Sequence, residues 1–213
     1  TERLLAIPAN LTPASDRELW QSLSAKLPPL PVHEINGKKA LAPAEFFAQK
    51  NNIENPELYA VFPFRLFAFN RTNTDWALTA LEHRGDHGHS GWRQDDIFMA
   101  YLGLAHDARK AIVSRARIHD RNERFPAFWG PNYDWTPDQD HGGVLMKTLQ
   151  AMLLQTDGQK MFLLPAWPKA WDVEFKLHAP MQTVIEGVFR DGRMQSLRVL
   201  PEARRADLTV IQY

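Results

Sequence analysis

The stretch LQAMLLQTDGQKMFLLPAWPKAW, residues 149–171, changes its hydrophobic period in the middle, and that change decides the architecture. Up to Leu154 the apolar residues Val144, Leu145, Leu149, Met152 and Leu153 recur at helical spacing, which predicts a helix over 143–154 closed by Asp157-Gly158. From Gln159 onward the period falls to two. The runs 161–165, 172–179, 183–190, 194–200 and 207–212 read as short strands, with Asp191-Gly192 a tight hairpin between the third and fourth.

Upstream of this switch the pattern is helical. Leu19, Trp20, Leu23 and Leu27 follow a helical stripe that Ser15 or Asp16 can cap and Pro28-Pro29 ends. A turn-rich connection through Asn36-Gly37 and Pro43 leads to a short helix expected around Glu45–Lys50. The aromatic-dense segment 55–72 is broken by Pro63. Further helices are predicted over Thr74 to Glu82, 91–103 and 106–118. Short or polar connections between them give the rhythm of stacked helical hairpins.

Composition narrows the function. The chain has 213 residues, 44% of them apolar and 11% aromatic, enough to bury a core. Its formal net charge of zero argues against nucleic acid or an anionic membrane surface as partner. Seven Trp and twelve Phe suit either core packing or the stacking of flat apolar faces such as sugar rings. Cysteine is absent, which removes disulfide scaffolds and Cys metal sites. No nucleophile elbow, phosphate loop or dinucleotide fingerprint occurs, so no cofactor is expected. The sequons at Asn10 and Asn70 are too common a pattern to carry weight.

Two polar clusters carry the candidate chemistry. DWTPDQDHGG, residues 134–143, sets Asp134, Asp138, Asp140, His141 and Trp135 before an expected helix start at Gly142. Exposed N–H groups at such a start favour negative charge, and the two glycines admit a close neighbour. Capping and a solvated loop would explain one aspartate; the whole set suits a carboxylate acting as general base on a water that attacks a sugar. The second cluster, HRGDHGHSGWRQDD over 83–96, offers His83, His87, His89 and Asp86. Its glycines make it a loop that frames a pocket rather than a rigid metal scaffold. Asp95 and Asp96 read as ordinary first-turn partners of a helix dipole.

The segments ENPELYAVFPFRLF (54–67), HSGWRQDDIFMAYLGLAHDARKA (89–111) and PDQDHGGVLMKTLQAMLLQTDGQKMFLLPAWPKAW (137–171) occur in the order seen in glycoside hydrolase family 95, which the chain resembles over roughly residues 15–200. That family contains α-L-fucosidases and α-L-galactosidases. The resemblance implies a fold that is mainly α and then β. Residues 1–158 would form helical hairpins from the C-terminal part of an (α/α)6 toroid, and 159–213 a small antiparallel β-domain. It implies an inverting mechanism with a Glu general acid and an Asp general base assisted by Asn. Asp138 matches the base, Asp140 stands where the family has Asn, and Gly142 and Gly143 match its glycines.

By the same resemblance Asp140, His141, Trp135 and Asn132 line the sugar subsite, and Trp92, Arg93, His89 and Glu57 contact sugar hydroxyls. Three departures fall at sugar-holding positions. Glu57 and Asn132 replace histidines, and Ile53-Glu54-Asn55-Pro56 replaces a basic segment. The acid lies upstream of everything in this chain, so the expected partners are an oligosaccharide or polysaccharide substrate and an upstream part of the same protein, with no nucleic acid and no membrane. Family habit points to a periplasmic or secreted location. Two alternatives stand beside hydrolysis: a non-hydrolytic carbohydrate-binding or scaffold protein, and a polysaccharide lyase using Tyr133 or His141 with Arg93.

Overall fold

A computed structural model describes residues 1–49, 52–118 and 140–211, in two compact units that divide between Pro31 and Val32. The first unit holds helices α1 (Glu2–Leu5) and α2 (Ala14–Lys26), with a 3-10 turn at Ala9–Leu11 between them. Pro13 precedes α2, so Ser15 and Asp16 lie inside its first turn rather than at the cap. Arg17 donates to the carbonyls of Leu5 (2.9 Å) and Ile7 (2.8 Å) and to the Thr12 hydroxyl (3.3 Å), satisfying acceptors that α1 leaves open at its end. None of the residues in these helices is buried.

The second unit begins with a hairpin, β1 (Val32–Ile35) against β2 (Lys38–Leu41). Asn36 (φ 51°) and Gly37 (φ 78°) supply the two left-handed residues of its turn, so the turn-rich connection of the sequence is a paired hairpin. Helix α3 (Thr74–His83) lies on β2 and packs Ala77, Ala80 and Leu81 with Ala40, Leu41, Leu58, Val61 and Phe67 in a first core. The short helix expected around Glu45–Lys50 does not form over its described residues. Phe46 is 85% exposed there, and a short helix with nothing to bury is not stable.

Helices α4 (Asp95–Tyr101), α5 (Ala105–Arg117) and α6 (Asp140–Leu153) pack mutually. The end of α6 continues directly into β3 (Leu154–Asp157), which turns at Gly158-Gln159 onto β4 (Lys160–Leu163). Asp157-Gly158 is therefore a hairpin turn rather than a helix stop. The buried Gln155 amide fixes the transition by donating to Ala151 O (3.1 Å) on α6 and to Ala100 O (2.8 Å) on α4. Strands β5 (Val173–Ala179), β6 (Thr183–Arg190) and β7 (Arg193–Leu200) form an antiparallel meander. Asp191 and Gly192 make the expected tight turn at φ 50° and 69°. Gly187 is required by the packing: a Cβ there would sit 2.7 Å from the Phe175 ring and 2.9 Å from Ser196 O. The last strand, β8 (Leu208–Val210), pairs parallel to β4. Buried Arg204 holds that return by donating to Thr183 Oγ1 (3.0 Å) and Gln159 O (2.8 Å) while pairing with Asp207.

The toroid and the single antiparallel β-domain expected from the resemblance are both corrected by this arrangement. Helix α3 rests on a β-hairpin instead of a partner helix, which interrupts any ring of helical hairpins. Among the described residues the strands fall into three small sheets, one of two and two of three strands, and the β3-β4-β8 sheet is mixed rather than antiparallel. Residues on both sides of the expected 158/159 junction share one core, from Ala100, Ala108, Ile112 and Met152 to Met161, Trp167, Phe175, Ile185 and Val199. No described helix is long and apolar enough to cross a membrane.

Candidate functional site

The loop between α3 and α4 is held by largely buried charge. Asp95, the first residue of α4, accepts from Arg84 Nη2 (2.7 Å) and Nε (3.0 Å) and from the Gly88 amide (2.9 Å). Asp96 beside it accepts from Arg115 Nε (2.8 Å) and Nη2 (3.2 Å) of α5, and both partners are wholly buried. Arg115 also donates to Gly91 O (2.7 Å) and Arg93 O (2.6 Å). Burial pushes the Asp96 carboxyl up, and the Arg115 guanidinium opposes that rise. Breaking such a pair from one side typically costs about 3–5 kcal/mol, because a buried charge is left alone.

Asn55 closes the other end of the loop. Its amide donates to Asp86 O (3.0 Å) and its carbonyl accepts from the Asp86 N–H (3.0 Å), a side-chain copy of a strand pair. The loop 84–94 is thus fixed at Gly88, at Gly91 and Arg93, and at Asp86, by three different elements. Asp95 and Asp96 are the organising groups of this loop, not merely dipole partners. Position 115 continues the apolar stripe of Ala108 and Ile112, so an arginine there was a readable sign of a buried acidic partner. Nothing local in the sequence marked Asn55 or Arg84.

The rigid loop sets Trp92 and Arg93 into a cleft with Ile53, Glu54, Asn55, Tyr59, Gln94 and Phe98. Its volume is about 10 Å³, room for roughly one water and not for a sugar ring. Arg93 pairs with Asp86 (3.4 Å) and contacts the Ser90 hydroxyl, while its buried Nε has no hydrogen-bond partner among the described residues. Tyr59 donates to Glu54 (2.8 Å), and burial followed by that carboxylate pushes its hydroxyl up to about 12. His89, half-buried, is held below its usual value chiefly by burial, with the Arg115 charge adding to the effect.

The remaining candidates separate. Glu57 sits half-buried on the 3-10 turn Pro56–Leu58 and does not line the cleft. Helix α6 begins at Asp140, earlier than expected, so Asp140 is its exposed first residue and His141, 1% exposed, lies within its first turn. Asp138, Trp135 and Asn132 lie outside the described residues, as do Tyr133 and Asp134. Among the described residues, no group of three or more His, Asp or Glu could hold a metal ion. No protein-family model matches the chain, and comparison with curated proteins finds no match either.

Proposed function

We propose that the chain is part of an inverting exo-glycoside hydrolase, with Asp138 as the base that activates water against an α-linked, fucose- or galactose-like sugar. The observation that carries this reading is the clamped loop. Two buried ion pairs and an asparagine bridge fix the backbone that bears His89, Trp92 and Arg93, the preorganisation a recognition surface for a rigid polar ligand needs. Trp92 gives this loop an aromatic face and Arg93 a guanidinium, the side-chain types that meet sugar rings and hydroxyls, and a ring would lie against the loop rather than inside the small cleft. The ordered sequence segments around Asp138 support its role as base, and the acid comes from an upstream part of the same protein.

The test is Asp138→Asn in the complete protein, assayed on an aryl α-L-fucoside and an aryl α-galactoside. Turnover is expected to fall by about 10²–10⁴-fold with melting temperature unchanged. Turnover within about tenfold of the parent would remove Asp138 from the chemistry. The non-hydrolytic alternative draws on Glu57, Asn132 and Asp140, which stand where the family has His, His and Asn. Calorimetric binding of an oligosaccharide with no product release would select it, and an unsaturated, ultraviolet-absorbing product would select a lyase.

A further inference from the structure

A large, mainly apolar space lies away from the loop. It is a cavity of about 570 Å³ where the α4–α5 connection meets β4, the β6–β7 hairpin and β8. That volume falls within the range of small-molecule sites, about 300–1,000 Å³, and fifty-fold above the Trp92 cleft. Its walls are Leu164, Trp167, Phe189, Met194, Val210 and Ile211. Two charged groups, Lys169 and Arg193, complete the lining.

The apolar wall is preorganised. Trp167 donates its Nε1–H to Trp171 O (2.8 Å) and meets the Trp171 ring edge-on at 5.5 Å, and Arg109 lies over that second ring at 5.4 Å. With its one donor engaged, Trp167 offers the cavity only its apolar ring. Leu164 is held at φ 61°, a conformation a γ-branched residue adopts only when its surroundings impose it. Gly103 and Gly192, at φ 79° and 69°, keep two stretches of wall free of side chain. The Lys169 stem lies over Gly192, with Cγ and Cε 3.2 and 3.3 Å from where a Cβ would stand.

The cations complete the pattern. Lys169 and Arg193 are both exposed, and neither makes an ion pair or a side-chain hydrogen bond among the described residues. No carboxylate lines the cavity. An apolar, aromatic-walled space with two positive charges at its edge that have no ion-pair partner among the described residues is complementary to one ligand chemistry: an apolar ring or chain ending in a single anionic group.

We propose that this cavity binds an amphipathic small-molecule monoanion, an aryl or arylalkyl carboxylate or sulfonate. The ring lies against Trp167 and Phe189, and the anionic group pairs with Lys169 and Arg193. The site is independent of the glycosidase reading, shares no residue with the clamped loop, and stands or falls separately.

The probes are 8-anilinonaphthalene-1-sulfonate and its neutral counterpart N-phenyl-1-naphthylamine, titrated into the native protein by fluorescence, with 4-phenylbutyrate as competitor. The sulfonate is expected to bind, to be displaced by 4-phenylbutyrate, and to lose about tenfold in affinity in Lys169→Glu/Arg193→Glu, the combined effect of two partly exposed charge contacts. Both positions are on the surface, so the melting temperature should hold and the neutral probe should bind as before. Met194→Trp, which fills the cavity, is expected to abolish binding of both probes. Equal sulfonate affinity in the parent and the double variant, no displacement by 4-phenylbutyrate, retained binding in Met194→Trp, or no binding at all would each overturn the proposal.

Discussion

Helices α2 and α6 have nearly the same length, 13 and 14 residues, and each repeats its apolar residues at helical spacing. Their fates differ completely. In α2 no residue is buried, and Leu19 and Leu23 are 64% and 47% exposed within its own compact unit. In α6 the residues Ala151, Met152 and Leu153 are buried and join the main core. Periodicity says which face of a helix could be covered, whereas coverage is decided by what the rest of the chain brings to that face. Helix α5 carries the contrast furthest, since its stripe buries a charge, Arg115, on a partner supplied by α4.

The comparison can be broken at several points, the largest first. Replacing Arg115 with Leu leaves Asp96 buried without its cation, and the second unit should lose about 3–5 kcal/mol in urea unfolding. A loss under 1 kcal/mol would mean that Asp96 finds water, and that the loop is not clamped as described. Met152→Ala removes a fully buried side chain from α6 and should cost about 2–5 kcal/mol. The matching change in α2, Leu23→Ala, should cost far less, within about 1 kcal/mol, since Leu23 is already exposed to 47%. Comparable losses at the two positions would show that α2 is covered in solution.

A smaller effect sharpens the picture of the loop. The His89 imidazole is held below its ordinary value of 6.5, so the folded state binds fewer protons than the unfolded chain just below that pH. Its stabilising contribution is complete above about pH 6.5 and is lost as pH falls toward the folded-state value. The parent should therefore lose more stability than His89→Gln between about pH 7.5 and pH 5.5, read as the difference in urea midpoints. Parallel losses in the two proteins would mean that His89 titrates freely and that the loop does not shield it.

Much of the local structure was legible. The switch of period after residue 158 located β4 to β8, and Asp191-Gly192 located the β6–β7 turn, because both signals are carried by neighbouring residues. The Asn36-Gly37 turn was equally local, yet its hairpin was missed. Strands β1 and β2 have four residues each, and β1 has no buried residue, which leaves too little alternation to read. The candidate site was legible only in part. Trp92 and Arg93 do share a cleft, but the groups that hold them there come from residues 55, 84 and 115, far apart in the chain.

The sequence by itself determined the longer helices, most strands, the tight turns and the balance of charge, since each follows from propensities and spacings within a few residues. The tertiary structure alone decided that α3 rests on a hairpin, that β8 returns parallel to β4, and that Asp95 and Asp96 are buried and paired. It also decided that an apolar cavity opens beside Lys169 and Arg193. These are outcomes of contacts across long separations. Their free energies depend on which surfaces exclude water together, and no short window of sequence contains that information.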